Sequence, residues 1–210
     1  EEEACRQSRH FAEGIRTARA LVNEPANVLT PERLAQEAVG LSRLHGFDIE
    51  VFDERQIQDM GLEAFWSVAK GSDAPPRFIV MRYRNAPDSR ETLALIGKGL
   101  TYDSGGYALK PAAGMETMFC DMGGAAAVIG AVSILAAMKA RVNVVGIVAA
   151  CETGLKRQVG RDIQAADEVE LLKDESDAVA PPARQPGFAQ MLQRLSAHHN
   201  TALVDTIEPG

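Results

Sequence analysis

Cysteine is scarce in this 210-residue chain: Cys5, Cys120 and Cys151 are odd in number and widely spaced. That excludes a disulfide framework and a CxxC zinc pattern, and makes a reducing, cytoplasmic setting the default expectation. Positive charge is also short, with 22 Lys+Arg against 29 Asp+Glu for a net charge of −7. No local basic stripe offsets the deficit, so no nucleic-acid partner is expected. No apolar run reaches the roughly 18–20 residues that cross a bilayer. The opening Glu1-Glu2-Glu3 is the reverse of a basic signal-peptide start, so no membrane partner is expected. Internal repeats are lacking too. What remains, 46% apolar and 24% charged residues, suits one globular domain, or one plus a tail.

Phe11, Ile15, Ala18 and Val22 recur at helical spacing and predict a first helix with those four on one face. Asn23, Pro25 and Asn27 interrupt it. Thr30-Pro31 reads as an N-cap followed by proline at the first helical position. Leu34, Ala38, Leu41 and His45 continue that second helix, and Gly46 is its C-terminal stop. Alternation of Phe47, Ile49 and Val51 with polar residues predicts a half-buried strand. Phe65 and Trp66 lie in an apolar stretch and read as core. Strands are also predicted over Arg77–Arg84, Leu93–Ile96 and Val142–Ala150. The last two are nearly unbroken apolar runs, which suit strands covered on both faces. Gly124–Lys139, between them, is long and apolar enough for a buried helix. Strand, helix, strand predicts an α/β fold with a mainly parallel sheet flanked by helices.

The C-terminal part differs. Asp167–Asp177 is acidic, and Pro181, Pro182 and Pro186 preclude regular structure around them. A short helix near Phe188, Met191, Leu192 and Leu195 and a strand at Ala202–Val204 are expected beyond. The chain thus divides into a lead-in helix and linker (1–30), an α/β core (31–155) and an irregular, acidic, proline-containing segment (156–210).

Chemistry concentrates in Gly97–Gly124, GKGLTYDSGGYALKPAAGMETMFCDMGG. This stretch follows an apolar strand, where α/β sheets place their sites, and it holds Lys98, Asp103, Lys110 and Asp121. Such a set can cradle phosphate or hold a hard divalent cation. GxxxxGK[ST] and GxGxxG are both absent, which weakens the phosphate alternative. Carboxylates suit Mg²⁺, Mn²⁺ or Zn²⁺. A lysine serving as ligand must lose its proton, which a nearby cation and burial both favour. Cys151, after a buried strand, reads as a small core residue and not a nucleophile. Cys120 reads as packing.

VNEPANVLTPERLA (Val22–Ala35), GKGLTYDSGG (Gly97–Gly106), LKPAAGM (Leu109–Met115), DMGGAAAVIGA (Asp121–Ala131) and VVGIVAACE (Val144–Glu152), in this order, resemble the leucyl aminopeptidase (cytosol aminopeptidase) family of two-metal metallopeptidases. The resemblance runs from about Ala12 to Glu152. It implies an α/β catalytic domain that removes N-terminal residues from peptides, with two divalent cations, Mn²⁺ or Zn²⁺, and assembly as a hexamer. Carried over residue by residue, it makes Lys98, Asp103 and Asp121 metal ligands, Asp103 bridging both ions, and Lys110 the catalytic lysine.

The family's remaining ligands come from an Asn-Thr-Asp-Ala-Glu-Gly-Arg run. Here that region reads Ala178-Val179-Ala180-Pro181-Pro182-Ala183-Arg184, so both carboxylates are missing and Arg184 alone is in register. The chain also begins at what resembles the helix joining an N-terminal domain to the catalytic one, and it reads as truncated and divergent after about residue 152. Three ligands for two ions predict at most one tightly bound cation and impaired activity. A catalytically inactive relative acting as a structural or assembly subunit is the alternative. Asp174, Glu175 and Asp177 are candidate replacement ligands, although a solvated acidic segment is the plainer reading. His198-His199 is a weak metal candidate, since adjacent side chains on a helix point apart.

Overall fold

The computed structural model of the protein describes residues 2–154. The acidic stretch, the proline run, Arg184, the helix near Phe188, the strand at 202–204 and His198-His199 all lie outside them.

Helix α1 (Glu2–Asn23) stops where Asn23 and Pro25 predict. Helix α2 (Pro31–His45) starts as its sequence requires: the Thr30 side chain accepts the Arg33 N–H, and Pro31 occupies the first turn. It ends at Gly46 in the left-handed region, φ 76°, with the Gly46 N–H donating to the Ser42 carbonyl, a conformation that glycine adopts without a Cβ penalty. Strands β1 (Asp48–Phe52), β2 (Arg77–Arg84), β3 (Leu93–Tyr102) and β4 (Asn143–Glu152) form one sheet in the order β1-β2-β4-β3. Short helices α3 (Glu54–Asp59) and α4 (Glu63–Ala69) link β1 to β2. Helix α5 (Ala112–Met115), a 3₁₀ turn (Met118–Cys120) and helix α6 (Gly123–Ala137) link β3 to β4.

The α/β architecture follows the sequence pattern, and β3 runs parallel to β4 with α6 between them in the chain. β1–β2 and β2–β4 are antiparallel, so the described sheet is mixed where a mainly parallel one was expected. For β2 against β3 and β4 the cause is connection length. Only residues 85–92 join β2 to β3, too short a path to return to the starting end of the sheet, so β3 must run back against β2. That arch crosses the start of β4 and is tied down there. Asn143 Oδ1 accepts the Ala86 N–H (3.0 Å), while its Nδ2 donates to the carbonyls of Ala86, Ser89 and Glu91 (2.9, 3.2 and 3.3 Å).

β4 is buried on both faces, as its apolar run requires, but β3 exposes Leu93 and Ile96 (55% and 54% accessible). β3 ends the described sheet, so one of its edges is unpaired. On one side of the sheet α1, α2 and α6 share a core with Ile79, Met81, Val144 and Val148. A smaller cluster on Phe78, Val80, Val145 and Ile147 packs under α3 and α4. Residues 112–137 are apolar enough on composition alone to cross a membrane. They break at the 3₁₀ turn, however, and α6 is buried between α1 and the sheet by Ala125, Ile129, Val132 and Ala136. It is a core helix.

On α1 close packing selects small side chains, so Ala18 and Val22 of the predicted face pack on the core and Phe11 and Ile15 do not. α1 approaches α6 through Gly14, where a Cβ would lie 2.2 Å from Ile134 Cγ1 and 3.2 Å from the Gly130 carbonyl oxygen. The buried face of α1 is therefore Gly14, Ala18 and Leu21, leaving Phe11 and Ile15 about half exposed. Phe65 and Trp66 are half-buried; Phe65 packs on the smaller cluster with its ring tilted against Phe78, centroids 6.2 Å apart.

Candidate active site

The residues singled out by the sequence form two amine–carboxylate pairs, in and beyond β3, by different routes. Lys98 lies within β3 and Asp121 just before α6, and their side chains meet with Nζ 2.7 Å from Oδ2. Glycine makes that approach available. A Cβ on Gly97 would lie 2.5 Å from the Gly124 carbonyl oxygen, and one on Gly124 would lie 2.9 Å from the Lys98 nitrogen. With neither present, the first turn of α6 rests directly on the β3 backbone and carries Asp121 to Lys98. Asp121 Oδ2 is buried and accepts no hydrogen bond, so its contact with Lys98 is one of charge without hydrogen-bond alignment.

Asp103 and Lys110 belong to one loop. Lys110 Nζ is 3.1 Å from Asp103 Oδ2. Ahead of them, the β3–β4 register shifts between Leu100 and Tyr102. Irregularities of this kind re-aim the following side chains. Buried Thr101 donates its hydroxyl to the Cys151 carbonyl at 3.2 Å. The loop then folds back through two left-handed glycines, Gly105 (φ 87°) and Gly106 (φ 63°), and the Lys110 N–H donates to the Ser104 carbonyl at 3.0 Å. A Cβ on Gly105 would sit 2.3 Å from the Ala108 carbonyl oxygen, so this turn requires glycine twice over, for its dihedral and for its space.

Burial would by itself raise the Asp103 carboxyl. The Gly105 N–H, the Lys110 ammonium and the Thr153 hydroxyl outweigh it and hold the group below the ordinary aspartate range. The carboxylate is therefore the stable form in this enclosure. Its two oxygens differ in their partners. Oδ1 accepts the Gly105 N–H at 2.9 Å and the Thr153 hydroxyl at 3.1 Å, whereas Oδ2 faces Lys110. Burial also pushes the Cys151 thiol up to about 12, helped by Asp103 and opposed by Lys98. Cys151 is 1% accessible and is a core residue, as expected. Cys120 is half-buried and its Sγ contacts the Thr117 carbonyl at 2.9 Å. Glu152 at the end of β4 is raised by burial and by Asp73, against a hydrogen bond with Ser72.

The donor chemistry fits a hard cation: each of the two carboxylates turns one oxygen to an amine, and on Asp121 that oxygen is buried and accepts no aligned hydrogen bond. The number of donors is small. Among the described residues, no three of His, Cys, Asp and Glu gather where they could hold a metal ion. Lys98, Asp103 and Asp121 are the set that remains. Thr153 and Ser104 belong to this site and carry no sequence signature; only their position beside Asp103, after β4 and β3, identifies them.

The catalytic domain of the cytosol aminopeptidase family matches residues 16–161 of this chain, reaching past Glu152. The probable cytosol aminopeptidase of Clostridium perfringens is 54% identical over 152 residues, covering 72% of this chain and 31% of that relative. The one from Aquifex aeolicus is 47% identical over 152 residues, with the same coverage of 72% and 31%. The chain therefore spans about a third of the length of the curated relatives it matches. Among solved structures, a leucine aminopeptidase of Caenorhabditis elegans superposes with a TM-score of 0.68 at 32% identity, covering 72% of this chain and 31% of that one. The bottromycin maturation enzyme BotP in complex with Mn superposes with a TM-score of 0.68 at 30% identity, covering 84% and 42%.

Proposed function

The chain belongs to the cytosol aminopeptidase family, and from that premise we propose that it carries part of the machinery of a metal-dependent aminopeptidase. The substrates are peptides with a free N-terminus, from which residues such as leucine are released. Lys98, Asp103 and Asp121 hold a divalent cation, Mn²⁺ or Zn²⁺, and the Mn-bound structural relative favours manganese. Such an ion, when bound, supplies a polarised carbonyl and an acidified water near neutral pH.

The observation that carries this reading is the distribution of the two pairs. Asp103 is held as a carboxylate with one oxygen left for an amine or a cation, and the buried Asp121 Oδ2 is met by the Lys98 amine at 2.7 Å without an aligned hydrogen bond. As a ligand Lys98 would bind through its neutral amine, with the proton passing to solvent as the cation takes its place beside Asp121. Lys110 Nζ lies 3.1 Å from Asp103 Oδ2, and its partly exposed end would face the scissile carbonyl. There it stabilises the developing oxyanion, an effect commonly worth about 3–4 kcal/mol.

Lys98, Asp103 and Asp121 are too few for two cations, since one ion would keep all three and the other Asp103 alone. At most one ion is held tightly, and activity is impaired relative to a complete ligand set. Calorimetric titration of the full chain with Mn²⁺, together with leucyl-p-nitroanilide hydrolysis, tests this. One tight site and slow turnover that vanishes in Asp103→Ala is the expected result; two tight sites overturn the single-ion reading. A second reading, a non-catalytic subunit of a cytoplasmic hexamer, is favoured by the lack of a third acidic ligand among the described residues. It predicts no hydrolysis at any Mn²⁺ concentration and a stable homo-oligomer in sedimentation.

A further inference from the structure

We propose that Thr153 is a positioning residue for the cation site: its hydroxyl fixes which oxygen of Asp103 is offered to a ligand. The proposal rests on the reading of Asp103 as a metal ligand and adds to it a residue just beyond the end of β4.

The Thr153 hydroxyl has one proton and three acceptors in reach, Asp103 Oδ1 at 3.1 Å, the Ser104 hydroxyl at 3.1 Å and the Tyr102 carbonyl at 3.4 Å. None of the three lies nearer than the carboxylate, and it alone is charged, so it takes the proton, because hydrogen bonds to ionised acceptors are the stronger ones. The oxygen of that hydroxyl in turn accepts the Ser104 N–H at 2.7 Å. Its backbone is fixed as well: the Thr153 N–H donates to the Tyr102 carbonyl at 3.0 Å, and the Ser104 hydroxyl lies 3.1 Å from the Thr153 carbonyl oxygen. Thr153 therefore ties the end of β4 to three consecutive residues, Tyr102, Asp103 and Ser104. With Oδ1 accepting from both Thr153 and Gly105, a rotation of the carboxylate would break two hydrogen bonds. Oδ2 is the oxygen left to turn toward Lys110 or a cation.

Partners that orient a ligand in this way typically tune metal affinity by about 10–100-fold. The test is Mn²⁺ binding to the full chain, read by electron paramagnetic resonance as free-ion loss and as the zero-field splitting of the bound ion. It compares the natural protein with Thr153→Val, Thr153→Ser and Asp103→Ala, and circular dichroism verifies that each is folded. Thr153→Val, which keeps shape and loses the hydroxyl, is expected to bind about 10–100-fold more weakly with an altered splitting. Thr153→Ser is expected to restore both. Thr153→Ala, read the same way, serves if the valine variant does not fold. The proposal is overturned if the valine variant binds like the natural protein while Asp103→Ala loses the ion, or if Thr153→Ser is as weak as Thr153→Val. If Asp103→Ala binds normally, or the natural protein binds no Mn²⁺, the ligand reading itself fails and takes this inference with it.

Discussion

Lys98 and Asp121 meet from two separate elements brought together by packing, whereas Lys110 and Asp103 meet inside one turn of chain closed by hydrogen bonds. In the first pair the lysine is 57% accessible and the contact has no hydrogen-bond alignment; in the second the aspartate is 8% accessible and hydrogen-bonded by Gly105 and Thr153. Perturbing the packing of α6 should therefore disturb one pair and leave the other. Perturbing the loop should do the reverse.

The largest separation is expected between the two lysines. Lys110→Met should lower kcat by about 100–1000-fold while leaving Mn²⁺ affinity intact, as expected for an oxyanion stabiliser; Lys98→Met should weaken Mn²⁺ binding instead. Steady-state kinetics beside a metal titration distinguishes them, and equal effects of both variants on affinity would erase the contrast. Next comes Gly97→Ala, whose Cβ would press 2.5 Å from the Gly124 carbonyl oxygen and 2.8 Å from Ala125 Cα. Overpacking against backbone costs about 1–3 kcal/mol, visible in urea unfolding. The Lys110–Asp103 pair should survive it.

A smaller effect is expected at acid pH. Asp103 titrates below the ordinary value of 3.8 in the folded protein. It contributes stability that is fully present above that value and is lost as pH falls through the lower, folded one. Asp103→Asn should flatten the fall in unfolding stability below about pH 4, as measured by urea unfolding at a series of pH values. An unchanged acid limb would remove the hydrogen-bonded half of the comparison. The smallest response belongs to Cys151, which senses both Asp103 and Lys98. Iodoacetamide at pH 8 should label exposed Cys5 and spare Cys151 in the native protein, with mass spectrometry locating the adduct. Labelling at Cys151 would mean that the end of β4 opens.

Signals confined to a few neighbouring residues were legible in the sequence. Thr30, Pro31 and Gly46 set the ends of α2 because caps are satisfied within one turn. The apolar runs located β2, β4 and α6 closely. Strand direction was not legible in composition, because the length of the arch at 85–92 decides it. Nor was the buried side of α1, where Gly14 rather than Phe11 faces the core. A period-based reading weights large apolar side chains, while close helix packing selects the smallest. At the site, Lys98, Asp103, Lys110 and Asp121 stood out by residue type and by resemblance to a family. Their division into two pairs depended on Gly97, Gly105 and Gly124, whose contacts are set in three dimensions. Thr153 had no motif to announce it.

The strand order β1-β2-β4-β3 has a consequence for the way the chain is made. β4 is the last of the four strands to leave the ribosome, yet it is the one that occupies the slot between β2 and β3. Until Glu152 has been synthesised, β2 and β3 have no common neighbour. The arch tethered later by Asn143 then spans a gap. The β2–β4 pairing joins strands far apart in the chain, and such non-local contacts are gained late. A nascent chain stalled before β4 would present two apolar strand edges to its surroundings, the circumstance in which chaperones are needed most.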